Sequence, residues 1–275
     1  MAVFTVQDYH QIRHTLFKPT RDYVGVDWGR DVLAPWVAAN RGVLDSLHRI
    51  GAPEMATASI SVEDSWALYA LSRVAEVLIL SSQPEKTADD ADPDPLLPPR
   101  AYEQFITGIG GRSVNIGSFH PFLHEITDVA SADNSQAQPE LVASRWPACF
   151  VGSMLLLRGG VTVRAGADRL DPQITTESTL YWAWHRQYRP VSDLSHGWGS
   201  NSQWRTRFRR DYWLADRLAY NVDAVVDPRA VSDADEDQRD RDVDLLRYRC
   251  STLVDHGADA WVWDSHHTEP TPFAL

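Results

Sequence analysis

Cysteine and lysine are both scarce in this chain of 275 residues. The two cysteines, Cys149 and Cys250, lie about a hundred residues apart and have no CxxC spacing. This arrangement argues against a disulfide framework, so we predict two reduced, buried thiols. Lysine supplies only 2 of the 26 basic residues, so the positive charge is almost entirely arginine. Guanidinium groups suit carboxylates, phosphates and aromatic faces better than ammonium groups do.

The chain also lacks a long apolar run. Its longest apolar stretches, near residues 74–80 and 154–157, are much shorter than the roughly 18 residues that a membrane-spanning helix needs. Residues 1–8 contain neither a basic region nor an apolar run, which argues against a secretory signal. We therefore expect a cytoplasmic protein with no membrane partner.

Negative charge dominates the composition, but it is concentrated in two tracts. The formal net charge is −12, which by itself argues against a nucleic-acid partner. Residues 84–99 carry five acids and one lysine, and residues 223–244 carry nine acids and three arginines, so these tracts hold ten of the twelve excess charges. Residues 185–217 instead carry seven arginines and three aspartates, a net charge of +4. A segment rich in arginine and tryptophan, residues 181–213, therefore lies within an acidic protein.

Helical periodicity is clearest in the first eighty residues. Apolar residues recur at helical spacing over residues 31–50, which predicts a helix interrupted near Pro35. Ser61 and Asp64 form a capping-box pattern, and the apolar residues after them predict a buried helix to about Ser81. A last helix is expected over residues 240–256, with acids early and arginines late.

Strand patterns occupy the middle of the chain. Residues 113–117 and 122–130 have β character, and a loop is expected between residues 132 and 139. The glycine pair at positions 159 and 160 predicts a hairpin between apolar runs, with a helix capped by Gly159 as the alternative. Further strands are predicted over residues 204–213 and 219–225.

These patterns together predict an α+β fold with a helical N-terminal portion packed on a mainly antiparallel, β-rich core and with a C-terminal helix. Four portions are expected within one compact domain. They are a helical portion at residues 1–83, an acidic, proline-rich loop at 84–99, the β-rich core with the candidate site at 100–226, and an acidic loop, C-terminal helix and tail at 227–275.

Two histidines four residues apart form the first candidate site. His120 and His124 share a face in either a helix or a strand, so they could be two ligands of a divalent metal ion with a third from elsewhere. Glu125 follows directly and is a candidate catalytic carboxylate, together with His124. The alternative is a pair of partly buried histidines around a proline turn. His266 and His267, near the C-terminus, are expected in solvent.

Residues 195–205 form the second candidate site. They are the densest run of glycines and small hydrogen-bonding side chains in the chain, and they lie within the basic, aromatic segment. His196 is a candidate catalytic base there. Indole, amide and guanidinium groups suit a planar or anionic ligand. The candidate ligand-binding residues are Trp198, Asn201, Gln203, Trp204 and Arg205.

Two functions are consistent with these residues. The first is an enzyme that acts on a polar or anionic small molecule, by metal-assisted hydrolysis or without a metal, in a pocket that joins both candidate sites. The alternative is a binding module in which residues 181–213 bind a nucleotide, a nucleic acid or a partner protein without catalysis. Nucleic acid is the less favoured ligand, because the chain as a whole is acidic.

Overall fold

The structure is a computed structural model, and it describes residues 4–82, 97–177, 208–230, 236–249, 252–253 and 264–273. Within these ranges the chain has eight α-helices and nine strands. The helices are α1 Val6–Ile12, α2 Lys18–Arg21, α3 Ala34–Ala39, α4 Arg41–Ile50, α5 Val62–Leu78, α6 Pro99–Gly108, α7 Pro172–Glu177 and α8 Glu236–Tyr248. Two π-helical turns, Arg13–Phe17 and Gly29–Leu33, precede α2 and α3.

The helix α5 is the centre of the helical portion. The Ser61 hydroxyl accepts a hydrogen bond from the Asp64 amide, and the Asp64 carboxylate accepts one from the Ser61 amide, each at 3.0 Å. This reciprocal pair confirms the predicted capping box. The helical run from residue 31 to 50 is also confirmed, but it breaks at Asn40 and not at Pro35. Proline is tolerated there because it lies in the first turn of α3.

The strands form two sheets. They are β1 Arg112–Val114, β2 His124–Ser131, β3 Glu140–Trp146, β4 Ala148–Val151, β5 Met154–Leu157, β6 Gly159–Ala165, β7 Asp211–Trp213, β8 Arg217–Tyr220 and β9 His267–Pro270. The larger sheet has the antiparallel order β1-β4-β5-β7-β8-β9, and the smaller has the order β2-β6-β3 with β2 parallel to β6. One apolar cluster joins the N-terminal helices to β4, β5 and β7. The predicted α+β fold is therefore confirmed.

The predicted hairpin across Gly159 and Gly160 is wrong. Strand β5 pairs with β4 and β7 in the larger sheet, whereas β6 pairs with β2 and β3 in the smaller one. The two glycines allow close packing, because a Cβ on Gly160 would lie 2.4 Å from the Trp146 ring. The nearby hairpin joins β4 to β5, and Gly152 supplies its positive φ of 57°.

Two predictions near the C-terminus also need correction. The last helix, α8, begins at Glu236 and ends at Tyr248, where Arg249 takes a positive φ of 57°. His267, expected in solvent, is buried in β9 at 5% exposure, because β9 pairs with β8 at the edge of the larger sheet. The loop predicted between residues 132 and 139 separates β2 from β3, as expected. No helix in the described ranges is both long and apolar enough to cross a membrane.

Candidate functional site

Arg158 is the one residue between β5 of the larger sheet and β6 of the smaller sheet. It follows β5 and precedes β6, and its backbone is held on both sides. The Trp146 indole donates to the Arg158 carbonyl at 2.9 Å, and the Gly159 amide donates to the Leu123 carbonyl at 2.9 Å. These contacts fix where the Arg158 side chain enters the protein, and that side chain is only 2% exposed.

Asp211, on the neighbouring strand β7, is a fully buried carboxylate surrounded by arginines. Its Oδ1 accepts hydrogen bonds from Arg209 Nε at 2.9 Å and from the backbone N–H of Asn221 at 2.8 Å. Its Oδ2 accepts one from Arg249 Nη2 at 2.5 Å. Burial alone would raise the pKa of Asp211, but Arg209, Arg249 and Arg158 hold it well below its usual range. Asp211 is therefore ionised at neutral pH.

The Arg158 guanidinium is not satisfied by this carboxylate. Its Nη2 lies 3.7 Å from Asp211 Oδ2, which is too long for a hydrogen bond. In the described part of the chain, none of the three guanidinium nitrogens has a hydrogen-bond partner. Burial is the largest cause that lowers the pKa of Arg158, and with Arg249 lowering it and Asp211 raising it the pKa is about 9. A buried donor group of this kind costs free energy unless a ligand or ordered water accepts its hydrogen bonds.

The histidine pair lies beside Arg158, because His124 opens β2 opposite Gly159. His124 Nδ1 accepts a hydrogen bond from the His120 amide at 3.1 Å, and His120 Nδ1 accepts one from the Phe122 amide at 3.2 Å. Each imidazole therefore carries its proton on Nε2. Burial lowers the pKa of both histidines to about 4. At neutral pH they are uncharged hydrogen-bond donors.

This arrangement does not fit the predicted metal site. An amide already occupies each Nδ1, and a neutral imidazole in this tautomer has no free lone pair on Nε2 for a metal ion. Among the described residues, no group of three or more His, Cys, Asp or Glu side chains could hold an ion. Glu125 follows His124 along β2 and therefore points to the opposite face of the strand.

Glu269, on β9, connects His120 to an open pocket. Its Oε1 accepts a hydrogen bond from the Tyr220 hydroxyl and lies 3.8 Å from His120 Nε2. Its Oε2 accepts one from Arg247 Nε at 2.9 Å. Burial and the Glu269 carboxylate raise the pKa of Tyr220 well above its usual value, so the phenol stays a donor. Glu269 lies on the wall of a pocket of about 490 Å³, together with Arg229, Asp240, Val243, Asp244, Arg247, His267, Thr268 and Pro270.

The second candidate site cannot be compared with this geometry. The residues named for it, His196, Trp198, Asn201, Gln203, Trp204 and Arg205, lie outside the described residues. Of the remaining candidates, His120 and His124 come together, and Glu125 is separate from them. Reasoning from the sequence missed Arg158 and Asp211. Their signal is a charged residue beside an apolar strand, as in the run from Met154 to Arg158.

Comparison of the chain with protein-family models, with curated proteins and with solved structures finds no match.

Proposed function

We propose that this protein binds a small anionic molecule, through a carboxylate or phosphate group, at Arg158. The observation that carries the proposal is a guanidinium that is 98% buried yet donates no hydrogen bond within the described residues. Arginine binds carboxylates and phosphates through paired hydrogen bonds, which would satisfy these donors. Asp211 does not fill this role, because its oxygens are engaged by Arg209 and Arg249 at shorter distances.

The surroundings of Arg158 support an anion over a cation or a metal ion. His120 and His124 lie close enough to Arg158 for its charge to lower their pKa values, and each bears its proton on Nε2. Neutral imidazole N–H groups beside a guanidinium form a set of donors, and the nearest carboxylates, Asp211 and Glu269, lie 3.7 Å from Arg158 and 3.8 Å from His120. Such a set matches the acceptor oxygens of an anion.

An enzymatic role follows from the same chemistry. Donors that satisfy a bound anion in a buried site also stabilise negative charge that develops on a reacting oxygen. The reaction class we propose is therefore hydrolysis or group transfer at a carbonyl or phosphoryl centre, with His124 and His196 as candidates for moving the proton. The alternative proposal is non-catalytic binding of a nucleotide by residues 181–213. In that case the affinity for the nucleotide would not depend on Arg158.

The experiment is isothermal titration calorimetry with phosphate, citrate and AMP against three proteins. Arg158→Met keeps most of the side-chain volume and removes the charge. Arg145→Met is the control, because Arg145 is an exposed arginine on β3 whose guanidinium hydrogen-bonds to the Thr162 hydroxyl. Hydrogen bonds to a charged group contribute about 1.5–3 kcal/mol, so we expect Arg158→Met to weaken binding roughly tenfold or more.

We expect Arg145→Met to bind as the wild type does. Equal affinity of wild type and Arg158→Met for every anion would contradict the proposal. If AMP alone bound, and bound equally to all three proteins, the alternative function of residues 181–213 would be favoured. Chromogenic phosphate and carboxylate esters assayed on the same three proteins test the catalytic extension separately.

A further inference from the structure

A groove of about 620 Å³ lies between two helical segments, away from the site described above. One wall is formed by the π-helical turn Gly29–Leu33 and α3, and the other by α6. Its apolar surface comes from Leu33, Ala34, Val37 and Ala38. This volume is in the range of small-molecule sites, which are mostly apolar with a few polar groups at defined positions.

Two glycines, Gly29 on one wall and Gly108 on the other, let the walls pack close together. A Cβ on Gly29 would lie 2.7 Å from the Gln104 side chain, and a Cβ on Gly108 would lie 2.8 Å from Leu33. The π-helical turn at this point is an uncommon element that occurs frequently at functional sites. The two walls are therefore in direct contact, because the Gln104 and Leu33 side chains pack on the glycine backbone of the opposite wall.

The charges on the rim are mainly positive. Arg41 and Arg100 both line the groove, and Glu103 is the one acid among the lining residues of the described chain. Arg100 donates from Nη2 to the Val26 carbonyl at 3.2 Å, so it is held in place by the backbone. Arg41 is the first residue of α4 and is exposed beside the apolar floor. An occupant that matches this lining has one anionic end and an apolar body.

We propose that this groove binds a free aliphatic carboxylate. The alkyl chain packs on Leu33, Ala34 and Val37, and the carboxylate pairs with Arg41. The Arg41 guanidinium can form paired hydrogen bonds with the carboxylate. Each methylene that the alkyl chain buries in the groove stabilises the complex. The site is independent of Arg158, so the two proposals can fail separately.

The test uses decanoate, below its micelle concentration, as the probe in isothermal titration calorimetry. Arg41→Gln removes the charge, and Arg49→Gln is the matched control, because Arg49 is an exposed arginine on the same helix outside the groove. We expect saturable binding of decanoate to the wild type and to Arg49→Gln. Arg41→Gln should bind about fivefold more weakly, the loss that corresponds to one partly screened ion pair.

Two further probes separate the parts of the proposal. Decanol, which lacks the charge, should bind equally to wild type and to Arg41→Gln, and acetate, which lacks the chain, should show no binding that depends on Arg41. Arg158→Met should bind decanoate as the wild type does. The proposal is overturned if decanoate shows no saturable binding, if Arg49→Gln weakens it as much as Arg41→Gln, or if phosphatidylcholine vesicles bind in an Arg41-dependent way and decanoate does not.

Discussion

Acidification should destabilise this protein well above the pH at which its carboxylates titrate, and His124 should be a main cause. In the folded chain His124 is only 3% exposed, and its pKa is lowered to about 4 from 6.5. Burial is the largest cause, and His120 and Arg158 add to it. The groups that face His120 in turn are Glu269, Arg247 and Arg158.

The direction in which pH changes the free energy of unfolding follows from proton uptake by the unfolded chain. Between pH 6.5 and pH 4 the unfolded chain holds a proton on His124 and the folded chain does not, so acid favours the unfolded state. A pKa difference of about 2.5 corresponds to about 3 kcal/mol lost between pH 7 and pH 4. The contribution of Asp211 has the same sign but begins only below about pH 4, because its pKa is lowered from 3.8.

The variant to measure is His124→Asn, because its Oδ1 can accept the hydrogen bond that the His120 amide donates to Nδ1. Urea unfolding, followed by tryptophan fluorescence at pH 7.5, 6, 5 and 4.2, gives the free energy of unfolding of each protein. We expect the wild type to lose about 2–3 kcal/mol more than the variant across this range. Parallel curves for the two proteins would refute the reasoning. Below pH 4 the free energy of unfolding should fall equally in both proteins, since Asp211 is present in each.

Three other changes have defined outcomes. Asp211→Asn leaves three guanidinium groups around a neutral side chain, so urea unfolding should show a loss of about 3–5 kcal/mol. Gly160→Ala places a methyl group against the Trp146 ring and should lower the thermal midpoint, at a cost of about 1–3 kcal/mol. Burial raises the pKa of the Cys149 thiol, so iodoacetamide should leave Cys149 unmodified in the folded protein but not in urea, as read by peptide mass mapping.

The parts of the fold that follow local rules could be predicted from the sequence. The capping box at Ser61 and the apolar residues after it are a local signal that predicts α5. The loop between β2 and β3 likewise follows from local turn-forming residues. In such segments tertiary contacts agree with the local preference, so a pattern within about fifteen residues is sufficient.

The glycine pair at 159 and 160 could not be interpreted in this way. Two adjacent glycines can supply a tight turn, or they can let another chain segment approach closely. The choice depends on Trp146 and Ala148, whose atoms would clash with side chains at these positions. Local sequence does not show that these residues pack there, so the passage of the chain between two sheets was not predictable.

In the candidate site, too, local sequence predicts some features, and others depend on contacts between distant parts of the chain. The spacing of His120 and His124 predicts a shared face of a helix or strand, whereas the structure joins them across a turn, where their protonation depends on amide donors and burial that no spacing reveals. Arg158 and Asp211 are 53 positions apart and meet because β5 pairs with β7. The charge pattern drew attention to the arginines near residue 209. It did not show that they would surround a buried carboxylate.

The central claim is that the Arg158 guanidinium binds an anion. The most direct measurement is a crystal of the wild-type protein soaked in selenate, with data collected at the selenium edge. We predict an anomalous peak within hydrogen-bond distance of the Arg158 guanidinium, and its loss in Arg158→Met crystals treated in the same way. Selenate peaks at exposed arginines such as Arg145, with none at Arg158, would contradict the claim.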